Sequence, residues 1–130
     1  TWPRHCVAKT DGAEIVTVLQ EALNVIPNHV PFGQVRKGMY DDAYSGFQGV
    51  TINADGTEGK LLTELLRDHV VTDVDVVGLA TDFCVKSTAI DSAAEGFNTT
   101  VLTEFCAGIS PESITDFFDT VAPAKSIIIQ

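Results

Sequence analysis

The spacing of apolar positions changes several times along the chain, and each change marks an element. Over residues 58–69 (EGKLLTELLRDH), Leu61, Leu62, Leu65 and Leu66 fall on one stripe with charge opposite, which predicts an amphipathic helix. Residues 75–80 (DVVGLA) follow as a short, nearly continuous apolar run, the pattern of a strand buried on both faces. Residues 81–96 are Ala-rich and predict a helix with Thr81 or Asp82 as N-cap and Gly96 at the C-terminal cap. A second buried strand is predicted at 99–103. Pro111 opens a third helix over 111–122 (PESITDFFDTVA) behind Ser110 as N-cap, and 126–130 close as a strand. Strand, helix, strand, helix, strand predicts α/β architecture, a parallel sheet with helical crossovers.

The front of the chain is less regular. Residues 1–14 read as a loop, 17–23 as a short helix and 34–37 as a strand end. Residues 38–49 form a loop bearing Tyr40, Tyr44 and Phe47, and 49–59 a polar turn region. Neither a repeat nor a linker interrupts the 130 residues, so 1–130 reads as a single domain.

Charge narrows the partners. Eight Lys and Arg against 18 Asp and Glu give a net charge of −10, which disfavours nucleic acid and anionic lipid alike. Apolar runs are only a few residues long, so no membrane span is expected. Three Cys do not make a disulfide framework; an odd, sparse count fits a reducing, cytoplasmic compartment with free thiols. Asn98-Thr99-Thr100 matches a glycosylation acceptor, read here as chance because no secretory signal opens the chain. The chain starts at Thr1 and its one Met is Met39, so the start is processed or the natural protein is longer.

Candidate chemistry centres on Cys84, in GLATDFCVK, past the end of a buried strand and in the first turn of a helix. Ligands of open α/β sheets bind at the carboxyl ends of strands. N–H groups at a helix start favour a thiolate and can hold an oxyanion. The alternative is a small buried hydrophobe. Lys37, ending a strand in QVRKG, either enters the same cleft or is a solvated charge. His5 beside Cys6 is a metal-type side chain, but adjacent residues seldom converge and no CxxC or HExxH accompanies them. By itself it reads as an ordinary loop His. His29 and His69 read as structural, and Cys6 and Cys106 as packing thiols. Trp2, Tyr40, Tyr44, Phe47 and Phe83 either line a pocket for a flat ligand or belong to the core. GxSxG, GxxxxGK[ST] and GxGxxG are all absent, which removes α/β-hydrolase, P-loop and dinucleotide-binding readings.

Four segments together resemble the nicotinamidase branch of the isochorismatase-like cysteine hydrolases. They are WPRHCV at 2–7 running on to GAE at 12–14, KG at 37–38 followed by YSGF at 44–47, VVGLATDFCV at 76–85, and AGIS at 107–110. The resemblance covers essentially the whole chain. It implies that Cys84 is the nucleophile attacking a carboxamide carbon and that Lys37 is the catalytic lysine beside it. It also implies a cis peptide between Leu79 and Ala80, which aims the Ala80 and Cys84 N–H groups into an oxyanion hole. His5 is implied as one ligand of a divalent metal (zinc, iron or manganese) that grips the ring nitrogen of nicotinamide, with Trp2 and Tyr44 flanking the ring and Phe83 at a substrate contact.

The implied fold is a Rossmann-like three-layer α/β/α domain. Its six-stranded parallel sheet has order 3-2-1-4-5-6 and helices on both faces. This chain would hold an isolated strand 3 near Lys37 and strands 4 to 6, and the open edge of strand 4 would favour a homo-oligomer. The implied activity is nicotinamide hydrolysis to nicotinate and ammonia in NAD salvage. The alternatives are a related cysteine amidase on another small amide, or an inactive piece or binding module. The isochorismatase branch hydrolyses a vinyl ether without a Cys nucleophile, so Cys84 and His5 speak against that activity. Departures are specific. The family's catalytic Asp and its Asp-x-His ligands have no counterpart here, so the chain is expected to be the C-terminal portion of a longer, partial domain. Phe83 stands where many relatives carry His, and Lys9 where Gly or Ser is usual.

Overall fold

The structure is a computed structural model that describes residues 2–7, 9–27 and 33–130. His29, read above as structural, lies outside the described residues. The chain divides into two compact units, Thr1–Gly33 and Gln34–Gln130. In the first, a loop leads through a short 3-10 turn at Asp11–Ala13 into helix α1 (Thr17–Asn24), where a short helix is predicted.

The second unit holds two three-stranded sheets. Strands β1 (Gln34–Arg36), β2 (Val50–Ile52) and β3 (Glu58–Leu61) form an antiparallel sheet in that order. Two expectations are corrected here. The strand near Lys37 is not isolated: Val35 pairs with Thr51 in β2. The predicted helix over 58–69 is shorter, because its first turn is β3 and only α2 (Leu62–Asp68) is helical. Residues 54–56 make the hairpin turn between β2 and β3: the Gly56 N–H donates to the Asn53 carbonyl and the Asn53 N–H to the Thr57 carbonyl, each at 2.9 Å, with Gly56 at φ 83°. Gly59 then lies flat on β2, where a Cβ would come within 2.5 Å of Thr51 Oγ1. The Leu61 N–H donates to the Glu64 carboxylate at 3.0 Å and so starts α2 one turn late.

The other sheet is parallel, with order β4-β5-β6: β4 (Asp73–Leu79), β5 (Asn98–Ala107) and β6 (Ile128–Ile129). A π-helical turn (Thr81–Val85) runs into α3 (Lys86–Ala94) as the first crossover. The predicted helix over 111–122 is α4 (Pro111–Asp116), a π turn (Phe117–Val121) and α5 (Ala122–Ala124), with Ser110 capping through its hydroxyl and Pro111 at the first position. Alternate residues of the strands and one stripe of these helices meet in a single apolar cluster of Val76, Val85, Ala89, Val101, Phe117, Ala122 and Ile127. The opposite sheet face, bearing Val77 and Ile128, is half-exposed. Inside the core the Thr99 hydroxyl donates to Ser92 Oγ at 2.8 Å, so the buried polar pair is satisfied. A bulge between Val76 and Gly78 shifts the register and brings Leu79 opposite Ala107. The carboxyl ends of β4 and β5 therefore finish side by side. Among the described residues no helix is long and apolar enough to cross a membrane.

Candidate active site

The turn after β4 carries Cys84. The Leu79–Ala80 peptide is cis. The Ala80 carbonyl accepts the N–H groups of Phe83 at 3.0 Å and Val85 at 3.1 Å, which winds 81–85 into a tight turn. Cys84 is part-buried in this turn, at the start of the helical run into α3. Asp82, a predicted N-cap candidate, does not cap this helix; Ala80 occupies the N-cap and no side chain bonds there. The Asp82 carboxylate instead accepts the backbone N–H groups of Ile109 and Ser110, each at 3.0 Å. Burial pushes this carboxyl up. The two N–H bonds, its own N–H and the nearby Lys86 ammonium outweigh burial and hold it below the usual 3.8.

Lys37 follows β1 and is part-buried. Its ammonium donates to the Ala43 carbonyl at 3.0 Å and to Cys84 Sγ at 3.4 Å, although 47 residues separate lysine and cysteine. Lys37 thus lies against Cys84 and is not a fully solvated charge. A cation donating to sulfur stabilises negative charge that develops there.

Tyr44 is set by the next turn. The Gln48 side-chain oxygen accepts the N–H groups of Tyr44 and Ser45, and Ser45 Oγ accepts that of Phe47. The Gly46 N–H donates to Thr88 Oγ1 at 2.9 Å, which fastens this turn to α3 one turn beyond Cys84. Tyr44 and Phe83 face each other with ring centroids 5.8 Å apart. Phe47 instead packs against Phe97 at 6.1 Å, a core contact. Beside Lys37 a cavity of about 310 Å³ opens, lined by Arg36, Tyr40, Asp42, Gln48 and Glu58 among others; Cys84 is not in its wall. Asp82 and Thr88 are the residues that sequence reasoning missed as site supports. Asp82 stood in a quoted motif, but its partners lie 27 and 28 residues away.

In the first unit, Trp2 and His5 stack edge to face at 5.9 Å, and His5 Nδ1 lies 2.6 Å from the Pro3 carbonyl oxygen. Cys6, expected to be a packing thiol, is exposed, on a backbone with φ 45°. Among the described residues no three His, Cys, Asp or Glu gather as a metal site. With one ring nitrogen of His5 against a carbonyl and no group of three donors, the described residues do not make up a divalent centre.

Comparison with known proteins identifies the family of the fold. The family model "Isochorismatase domain" matches residues 1–130. The nicotinamidase/pyrazinamidase of Mycobacterium tuberculosis is 40% identical over 114 residues, covering 87% of this chain and 54% of that protein. Among solved structures, the pyrazinamidase of Pyrococcus horikoshii in complex with zinc superposes with TM-score 0.73 at 32% identity, over 100% of this chain and 63% of that one. The yeast nicotinamidase superposes with TM-score 0.77 at 31% identity, over 98% and 57%. The chain spans about half the length of the curated relatives it matches. Parallel sheet and family match converge: the chain belongs to the isochorismatase domain family.

Proposed function

We propose that this chain carries the nucleophile side of a nicotinamidase-type amidohydrolase, which converts nicotinamide and water to nicotinate and ammonia in NAD salvage, with pyrazinamide as an analogue. The observation that carries the reading is the approach of Lys37 Nζ to Cys84 Sγ at 3.4 Å. In the proposed reaction Cys84 Sγ attacks the carboxamide carbon while the thiol proton passes towards the leaving nitrogen. The N–H groups of Ala80 and Cys84 receive the oxyanion, worth about 3 kcal/mol per donor. Collapse breaks the C–N bond, releases ammonia and leaves a thioester. Water then cleaves the thioester to the carboxylic acid and restores the thiol. Lys37 stabilises charge at sulfur, and Tyr44 and Phe83 hold the flat ring. Three free cysteines fit a cytoplasmic site of action.

The alternative is a binding module without turnover. Ammonia release from nicotinamide separates the two, measured on this chain and on a form extended at its N-terminus by the upstream reading frame. Turnover in the extended form, reduced by about 10³-fold or more in Cys84→Ala, supports the amidase. An extended form that releases no ammonia would overturn it.

A further inference from the structure

The AGIS segment at 107–110 has no part in the reaction above, yet it is fastened to the turn that performs it. Both Asp82 oxygens are used: Oδ1 accepts the Ile109 N–H and Oδ2 the Ser110 N–H, each at 3.0 Å. Asp82 as a residue is 7% exposed, so these part-buried bonds are partly shielded from water. The register that sets Leu79 opposite Ala107 delivers the two segments to each other. Gly108 completes the fit. A Cβ there would sit 2.9 Å from Asp82 Oδ1 and 2.5 Å from Ile114 Cδ1, so any larger residue has to displace the carboxylate or the end of the Ile114 side chain. Beyond the clamp, Ser110 Oγ accepts the Ser113 N–H and starts α4, which gives the loop a fixed base.

We propose that Asp82 is a positioning residue. Its carboxylate clamps the turn carrying Ala80 and Cys84 to the loop after β5, and so holds the sulfur and the neighbouring N–H groups in reactive geometry. This rests on the reading of Cys84 as nucleophile, but its test does not need the substrate to be nicotinamide. Asp82→Asn keeps the shape and replaces one acceptor oxygen by an NH2 group facing an N–H donor. Gly108→Ala disturbs the clamp from the other side and leaves 80–85 unchanged. Ser110→Ala removes the α4 cap but keeps the backbone N–H that Asp82 accepts.

The experiment is iodoacetamide alkylation of the full chain at fixed pH, mapped by peptide, with Cys6 and Cys106 as internal references. Asp82→Asn and Gly108→Ala should slow alkylation of Cys84 by about tenfold relative to the references. Ser110→Ala should lower the melting temperature and leave the Cys84 rate alone. In the N-terminally extended form, kcat on nicotinamide should fall about 10–100-fold in Asp82→Asn with KM little changed. Independently of any variant, the Ile109 and Ser110 amides of the unaltered chain should exchange slowly with solvent. Wild-type Cys84 rates in both clamp variants overturn the proposal, as does equal slowing of all three thiols. If both variants fail to fold, exchange at free-peptide rates for Ile109 and Ser110 overturns it and protection supports it. A labelling contrast that survives while nicotinamide is not hydrolysed sinks the substrate reading and leaves the clamp standing.

Discussion

The two sheets of the second unit carry the two members of the Lys–Cys pair, and they are built differently. Every member of the buried apolar cluster, from Val76 to Ile127, belongs to the parallel sheet and its helices. Strands β1, β2 and β3 are three or four residues long, and across 34–61 the buried residues are Ser45 and Gly49. Cys84 therefore rides on a packed core. Lys37 rides on a thin hairpin sheet and is held in place by a few hydrogen bonds, its own to Ala43 and that of Gly46 to Thr88. Substitutions in the first region should read out as stability, and substitutions in the second as geometry of the pair.

Phe117→Ala tests the packed side, where the ring is fully buried. It should cost about 3–5 kcal/mol in urea unfolding, against about 1 kcal/mol for Val50→Ala in the hairpin sheet. Equal losses would mean that the two sheets share one core and that the contrast is false.

Thr88→Val tests the link between the regions. The side chain keeps its shape and loses the oxygen that accepts the Gly46 N–H, at a cost of about 1 kcal/mol. In the extended enzyme, kcat or KM for nicotinamide should worsen several-fold while the melting temperature falls by about 2–4 °C. Unchanged kinetics would show that the turn carrying Tyr44 is positioned by something other than α3.

The smallest effect is an acid one, confined to the packed side. Asp82 has a folded-state pKa below its ordinary 3.8, with burial opposed by the N–H bonds from Ile109 and Ser110. The unfolded state then binds more protons than the native state near that pH. The stabilisation is present above 3.8 and is lost as pH falls through the folded value. Asp82→Asn should flatten the stability profile below about pH 4. Exposed Asp55, Asp68 and Asp73 are also lowered, chiefly by hydrogen bonds from Thr57, Lys60 and Thr72, and they remain in both proteins. Urea titrations across that range would check the difference.

By itself the sequence determined the parallel half and the turn that ends its first strand. DVVGLA, the Ala-rich segment and Ser110-Pro111 are local signals: apolar runs long enough to bury, a glycine cap at Gly96, and a capping hydroxyl before proline. The structure keeps the strand, the helix with its glycine cap and the Ser-Pro start. It corrects the burial of β4: the strand is covered on one face only, and Val77 and Leu79 stay exposed because no described strand or helix packs on that side. The hairpin sheet was not legible, because three or four half-exposed residues carry no clear period, and residues 58–61 fit a helical stripe until β2 pairs with them. Tertiary structure alone decided which alternative each ambiguous polar group took. Spacing left Lys37 as either a cleft residue or a surface charge, and only the fold brings its ammonium to a sulfur 47 residues away. The Asp82 carboxylate likewise had N–H donors of its own helix within local reach. It accepts those of Ile109 and Ser110 because parallel register sets the end of β5 beside the end of β4. A side chain's local options follow from sequence, whereas the choice among them depends on donors and acceptors that distant segments deliver.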